Sequence, residues 1–277
     1  VSPFGPLVSA PWLAAHLDEV RVVDTRWYVS GTNTGTPGGR TGRQAYLDAH
    51  IPTAVFLDID TDLAAPPGVA EGRHPLPSPQ EFAAVLSRAG ISAGTPVVAY
   101  DDTGGSIAAR LWWMLHVLGE PVAVLDGGLA AWTGPLTERV PTPAAVPREP
   151  TPWPADRIMA ADALLTSGRA IIDARTAERF ARGDPSIDPC PGHVPGAVSA
   201  PWASNLDGNG HFLGPAALRD RYAALGVSGP AVAYCGSGVT SCHTVLALTL
   251  AGTDDVALYP GSWSQWGADP ARPVEIG

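Results

Sequence analysis

Cys235 heads the run Cys-Gly-Ser-Gly-Val-Thr-Ser241, directly after the apolar Ala231-Val-Ala-Tyr234 and before an apolar stretch of helical period. A loop that leaves a buried strand and enters a helix presents free backbone N–H groups beyond the sheet's carboxyl edge, where ligands of open α/β folds bind. Gly236 and Gly238 let that backbone curl, so that successive amides turn inward as an anion cradle. Thr240 or Ser241 can cap the helix that follows. Converging N–H groups and a helix N-terminus favour the thiolate and hold the Cys235 pKa below its ordinary value of about 8.5. A thiolate so placed is a nucleophile, and whatever it picks up is held by the same amides. The competing reading is a buried cysteine beside a tight turn.

The elements that position this loop occur twice. Val22-Val-Asp-Thr-Arg26 is echoed by Ile171-Ile-Asp-Ala-Arg175, and Ala49-His-Ile-Pro-Thr-Ala-Val55 by Gly192-His-Val-Pro-Gly-Ala-Val198. Val98-Ala-Tyr-Asp101 is echoed by Val232-Ala-Tyr-Cys235, and Gly127-Gly-Leu-Ala-Ala-Trp132 by Gly261-Ser-Trp-Ser-Gln-Trp266. The order is kept while the spacing drifts, as two copies with different loop insertions require. Each copy alternates short apolar runs (21–24, 97–100 and 123–125, then 170–173, 231–234 and 257–259) with amphipathic stretches at 79–89, 108–118, 215–225 and 241–251. Short, nearly continuous apolar strands between helices predict a parallel sheet covered on both faces. The expected fold is therefore α/β, with two tandem domains, each a small parallel sheet with helices on both faces. Seven prolines between Pro135 and Pro154 rule out a helix or central strand there. The expected division is 1–140, a Pro-rich linker over 141–157, and 158–277. At the position of Cys235 the first copy carries Asp101.

Composition narrows the chemistry. All 17 basic residues are arginine, which excludes Schiff-base chemistry, pyridoxal phosphate attachment and a P-loop lysine. A net charge of −10 argues against nucleic acid or an anionic membrane as partner. Three cysteines (Cys190, Cys235 and Cys242) make no disulfide framework, and a cytoplasmic protein is expected. The opening Val1-Ser-Pro-Phe-Gly-Pro6 has neither a basic nor an apolar region of a secretory signal. Residues 222–253 carry no Asp, Glu, Lys or Arg, but their interior glycines, Pro230 and His243 read as turn, buried strand, loop and buried helix rather than a membrane span.

On these motifs the chain resembles the tandem-domain rhodanese family of sulfurtransferases. The resemblance runs through both halves, His193-Val-Pro-Gly-Ala197, the Cys235 loop and the closing Pro260-Gly-Ser-Trp-Ser-Gln-Trp266. It implies a non-catalytic N-terminal domain and a C-terminal domain whose Cys235 takes sulfane sulfur as a persulfide. The sulfur then passes to a thiophilic acceptor: cyanide, a thiol or thioredoxin. No metal or organic cofactor is implied, and a monomer is expected. Cys235-Gly-Ser-Gly-Val-Thr240 looks like the 3-mercaptopyruvate branch, since the thiosulfate branch has Arg and Lys after the cysteine. In that branch the serine joins an aspartate and a histidine, which by context match Ser237, Asp60 and His74. Gly236, Gly238, Val239 and Thr240 are the loop residues expected at the substrate, and Arg179 matches one substrate arginine. The second arginine is missing from residues 184–191, with Arg182 as its substitute. Thr53 replaces a glycine of the family, and Gln265 a glutamate.

Other readings stay open at this point. Thiosulfate:cyanide sulfurtransferase activity would use the same persulfide, and a non-catalytic sulfur carrier or regulatory module would use the same fold. A Cys-x5-Arg phosphatase or arsenate reductase needs a cationic clamp where Ser241 stands. Cys190, in a proline-rich loop, is a candidate partner for a reversible disulfide with Cys235. Trp263, Trp266 and His243 read as packing residues.

Overall fold

The computed structural model describes residues 4–28 and 39–277. Residues 1–3 of the opening stretch read for a signal lie outside the described residues. Among the described residues five strands form the first sheet: β1 (Leu7–Val8), β2 (Arg21–Asp24), β3 (Val55–Phe56), β4 (Val97–Tyr100) and β5 (Val122–Leu125). Every pairing is parallel, and the order is β1-β5-β4-β2-β3. The helices of this half are α1 (Ala10–Ala15), α2 (Gly42–Asp48), α3 (Pro79–Arg88), α4 (Ala108–His116) and α5 (Gly128–Ala131). In the second half β6 (Ala170–Asp173), β7 (Val198–Ser199), β8 (Ala231–Tyr234) and β9 (Val256–Leu258) are parallel in the order β7-β6-β8-β9. With them run α6 (Ala177–Arg182), α7 (Pro215–Ala224), α8 (Ser241–Leu250) and α9 (Ser262–Trp266). Four strands thus have the same order in both copies. The place of β1 is taken in the second by a single parallel bridge from Ile158 to Leu258.

Buried strands explain the repeated motifs. All four residues of β4 and of β8 are buried, which is why each reads as an unbroken apolar run. The repeated Asp-x-Arg, Tyr and His-x-Pro blocks meet in one polar network per copy. The Asp24 carboxylate accepts from Arg26 Nε and Nη2, at 3.0 and 2.7 Å, and from the Tyr100 hydroxyl at 2.6 Å. Tyr100 Oη in turn accepts from Ile51 N at 3.2 Å, and Arg26 Nη2 also donates to Ala49 O. In the second copy Asp173, Arg175, Tyr234, Val194 and Gly192 occupy the same places. A buried ion pair with this many satisfied partners specifies a loop position at little net cost.

The chain sorts into two compact units. One holds residues up to Ala65, Pro77–Trp153 and Asn209–His211; the other holds Pro66–Leu76, Pro154–Gly208 and Phe212–Gly277. Residues 138–154 contain neither helix nor strand and run along the first unit. There Val146 N donates to Ser87 O, Arg148 pairs with Glu120 at 2.6 Å, and Trp153 Nε1 donates to Pro77 O. Among the described residues no helix is long and apolar enough to cross a membrane.

Thr53 holds φ +69°, at the position occupied in the second copy by Gly196 at φ +73°. A β-branched residue in the left-handed region costs about 1–2 kcal/mol. Thr53→Gly is expected to raise unfolding stability by about 1 kcal/mol in urea denaturation. An unchanged or lower midpoint contradicts the assignment of strain there.

Candidate active site

β8 delivers Cys235 to the carboxyl edge of the second sheet, where its side chain is only 2% exposed. The turn that follows depends on Gly238, whose φ is +81° and where a Cβ would lie 2.3 Å from Pro260 O. That turn brings Gly238 N to the sulfur, to which it donates at 3.1 Å. Gly236 has no left-handed φ; a Cβ there would meet the ends of two arginine side chains. The loop is stitched to the turn before α9. Trp263 N donates to Cys235 O and Ser264 N to Gly236 O, both at 2.9 Å. Ser262 Oγ accepts from Cys235 N at 3.2 Å and donates to Tyr259 O at 2.9 Å. Ser262 is fully buried with φ +52°, a strained conformation for a residue with a Cβ. It stands where the first copy has Gly128, at φ +57°.

Burial pushes the Cys235 thiol up, but its neighbours outweigh that and hold it below the ordinary thiol value. They are the Thr240 hydroxyl, the Ser237 backbone N–H, and the hydroxyl and backbone N–H of Ser241. Thr240 is the N-cap of α8 but makes no side-chain cap bond, and its hydroxyl serves the sulfur instead. The buried Ser241 hydroxyl likewise faces the sulfur, so neither hydroxyl caps α8 as the sequence suggested. The N-terminus of this ten-residue helix adds its positive end to the same pocket.

The lowered thiol has a measurable consequence. The native state binds fewer protons than the unfolded chain between the folded and free pKa values. Stability from this group is therefore full above the free value, about 8.5, and is lost as pH falls through the folded value. Thiolate absorbance at 240 nm, taken as wild type minus Cys235→Ser, is expected to titrate with a midpoint below the free value. A midpoint at or above the free value contradicts the cradle.

Arg179 lies on α6, a short helix with no fully buried residue. Thr176 caps it, and Phe180 stacks on His193 with ring centroids 3.6 Å apart. The Arg179 guanidinium grips the Asp188 carboxylate through Nε at 3.0 Å and Nη2 at 2.5 Å. A Cβ added to Gly236 would meet Arg179 Nη2 at 2.8 Å and Arg73 Nη2 at 2.9 Å. Arg73 arrives on the segment 66–76, which belongs to this unit. Gly68 and Gly72 pair to close that segment into a tight turn. Arg73 N donates to Ser264 Oγ at 3.0 Å, and its Nη1 donates to Ile187 O. Burial and the like charge of Arg179 lower the Arg73 pKa.

The predicted site residues divide as follows. Cys235, Ser237, Gly236, Gly238, Val239 and Thr240 lie together in the loop, and Arg179 stands beside it. His74 is buried in the same unit, next to Arg73. Asp60 is an exposed residue of the first unit, accepting from Trp27 Nε1 at 2.8 Å. Arg182 lies apart from this group. It is exposed at the last residue of α6, and the arginine that accompanies Arg179 at Gly236 is Arg73. Sequence reading missed Arg73 because its local setting, Glu-Gly-Arg-His, says nothing of which core it joins. It also missed Ser262, although its register with Gly128 in the repeat was a usable signal.

The first unit carries a filled version of the same cradle. Asp101 Oδ1 accepts from Thr103 N and Gly105 N, at 2.9 and 2.8 Å. Asp101 Oδ2 accepts from Ile107 N and Ala108 N, at 2.7 and 2.8 Å. Burial pushes this carboxyl up and the four N–H groups oppose it. With two donors on each oxygen no acceptor is left for a carboxyl proton, so the geometry is that of a carboxylate. The loop architecture thus binds one anion by backbone alone.

No disulfide links the cysteines. Cys242 Sγ is buried and donates to Gly238 O at 3.4 Å, bracing the turn. Cys190 packs near Gly267, and burial pushes its thiol up. Trp263 and Trp266 are buried, and the His243 ring stacks on Phe212 at 4.3 Å. Among the described residues no group of three or more His, Cys, Asp or Glu is arranged to hold a metal ion.

Comparison with known proteins adds family membership to this geometry. Residues 9–135 and 158–269 both match the family described as rhodanese-like domain. A probable 3-mercaptopyruvate sulfurtransferase of Pseudomonas aeruginosa is 42% identical over 286 residues, covering 98% of each chain. A putative thiosulfate sulfurtransferase, SseB, of Mycobacterium tuberculosis is 37% identical, covering 98% of this chain and 97% of its own. The crystal structure of SseA, a 3-mercaptopyruvate sulfurtransferase from Escherichia coli, superposes with a TM-score of 0.79 at 32% identity, covering 94% of this chain and 99% of that one.

Proposed function

The chain belongs to the rhodanese family of sulfurtransferases, and from that premise we propose that it moves sulfur from 3-mercaptopyruvate to a thiophilic acceptor through a Cys235 persulfide. One observation carries this reading: a buried sulfur whose thiolate form is favoured by loop N–H groups and hydroxyls, with Arg179 beside the adjoining Gly236. The Cys235 thiolate attacks the donor sulfur, the C–S bond breaks, and its electron pair leaves on carbon as the enolate of pyruvate. The donor's thiol proton ends on that carbon, which leaves pyruvate and the persulfide anion. Cyanide or a thiol, including that of thioredoxin, then attacks the outer sulfur, and the S–S electrons return to Cys235. No external oxidant or reductant is needed.

Loop amides, those of Ser237, Gly238 and Ser241 foremost, hold the charge of the persulfide, much as backbone amides of the first unit's loop hold Asp101. Ser237 and His74 are proposed to handle the proton at the donor, and Asp60 enters this role by family resemblance. The first unit is proposed to be non-catalytic because its own carboxylate fills the cradle. A monomeric, cytoplasmic enzyme is part of the same proposal. Thiosulfate is the second reading, favoured by the two guanidinium groups at Gly236, whose charges match a dianion.

The test compares kcat/KM for 3-mercaptopyruvate and thiosulfate on one preparation. Wild type is expected to prefer 3-mercaptopyruvate, and Arg179→Ala to raise its KM by roughly 10- to 100-fold through loss of a charged hydrogen bond. A preference for thiosulfate overturns the donor assignment.

A further inference from the structure

We propose that Arg73 is the second substrate arginine of this enzyme: with Arg179 it grips the donor's carboxylate above Gly236. This rests on the 3-mercaptopyruvate reading and adds to it a residue from outside the cysteine-bearing sequence repeat. The second copy lacks an arginine anywhere in residues 184–191, and its acid Asp188 lies against Arg179. The charge is supplied from the other half of the sequence. The 66–76 segment joins the second unit, its Gly72 packed so closely that a Cβ would lie 2.6 Å from Gly261 O. The next residue is thereby fixed at the catalytic loop. Arg73 N is held by Ser264 Oγ, whose backbone N–H donates to Gly236 O.

The two guanidinium groups converge on one point above Gly236, at 2.8 and 2.9 Å from the place a Cβ would occupy. Gly236 is the residue next to the nucleophile, so this point lies one residue from the reacting sulfur. Like charges brought together this closely are stable where an anion lies between them. Asp188 grips Arg179 and also attracts Arg73, whose own hydrogen bond goes to the neutral Ile187 O and whose charge also faces Cys235. A planar carboxylate beside two guanidinium forks satisfies both. In 3-mercaptopyruvate the carboxylate is separated from the sulfur by two carbons, matching a clamp adjacent to Cys235.

Arg73→Gln keeps a donor for Ile187 O but removes the charge, and Arg73→Lys keeps the charge without the fork. Turnover is measured with 3-mercaptopyruvate, with its methyl ester, which lacks the carboxylate charge, and with thiosulfate. Arg73→Gln is expected to raise KM for the acid by roughly 10- to 100-fold, with kcat changed less and Arg73→Lys partly restored. Its kcat/KM for the methyl ester should fall far less than for the acid. An unchanged KM for the acid overturns the proposal, as does an equal loss with the ester, which would mark a structural role. A loss confined to thiosulfate assigns Arg73 to a sulfonate and overturns the carboxylate clamp. Should wild type fail to use 3-mercaptopyruvate, the donor reading falls separately. Arg73 is then decided by titrating pyruvate onto wild type and Arg73→Gln: weaker binding to the variant supports the clamp, and equal binding overturns it.

Discussion

Cys235→Ser is expected to reduce sulfur transfer to the level of a protein-free blank while leaving the fold intact. The substitution is nearly isosteric, and the hydroxyl can accept from Gly238 N in place of the sulfur. The stability change should stay within about 1–2 kcal/mol. Chemistry fails for two reasons. A serine hydroxyl is not ionised by the groups that favour a thiolate, and transfer through a persulfide requires an S–S bond that oxygen cannot form. No other thiol is placed to substitute. Cys242 is fully buried and engaged with Gly238 O, while burial raises the Cys190 thiol away from reactivity. Retained turnover in a folded Cys235→Ser protein sinks the persulfide account.

The second large effect is expected from Gly238→Ala. A methyl group there would lie 2.3 Å from Pro260 O and 3.1 Å from Pro260 C and Cα, all backbone atoms that cannot turn aside. The left-handed conformation at φ +81° alone costs an L-residue about 1–2 kcal/mol. The turn must therefore shift, taking the Gly238 N–H off the sulfur and disturbing the carbonyl that Cys242 braces. Loss of a preorganised donor at such a site lowers kcat by on the order of 10²-fold or more. The thiolate titration should move upward in the same variant. A Gly238→Ala protein with wild-type kcat and titration contradicts the role given to the turn.

Much of the scaffold was legible because its physics is local and repeated. β4 and β8 are buried on both faces, so their apolar runs predict them residue for residue. The helices at 79–88, 108–116, 215–224 and 241–250 follow the predicted stretches to within one or two residues at their ends. The two-residue strands β1, β3 and β7 were not read, since a pair of residues carries no period. α6 was not read either, because a helix without a fully buried residue shows no apolar stripe. At the site, the Cys235 loop was legible from strand, glycines and helix in sequence. The caps were misread: hydroxyls expected to serve the α8 N-terminus serve the sulfur instead. The arginine pair was half legible. Arg179 follows from its motif, whereas Arg73 depends on which core a proline- and glycine-rich segment joins, and that is decided by tertiary packing.

The central claim is a sulfur atom carried on Cys235, and the mass of the protein reads it directly. Wild-type protein is incubated with 3-mercaptopyruvate without acceptor, weighed intact, and digested. The expected result is a gain of one sulfur atom, confined to the peptide bearing Cys235 and removed by cyanide. An unchanged mass while pyruvate accumulates, or a sulfur found on Cys190 or Cys242, would contradict it.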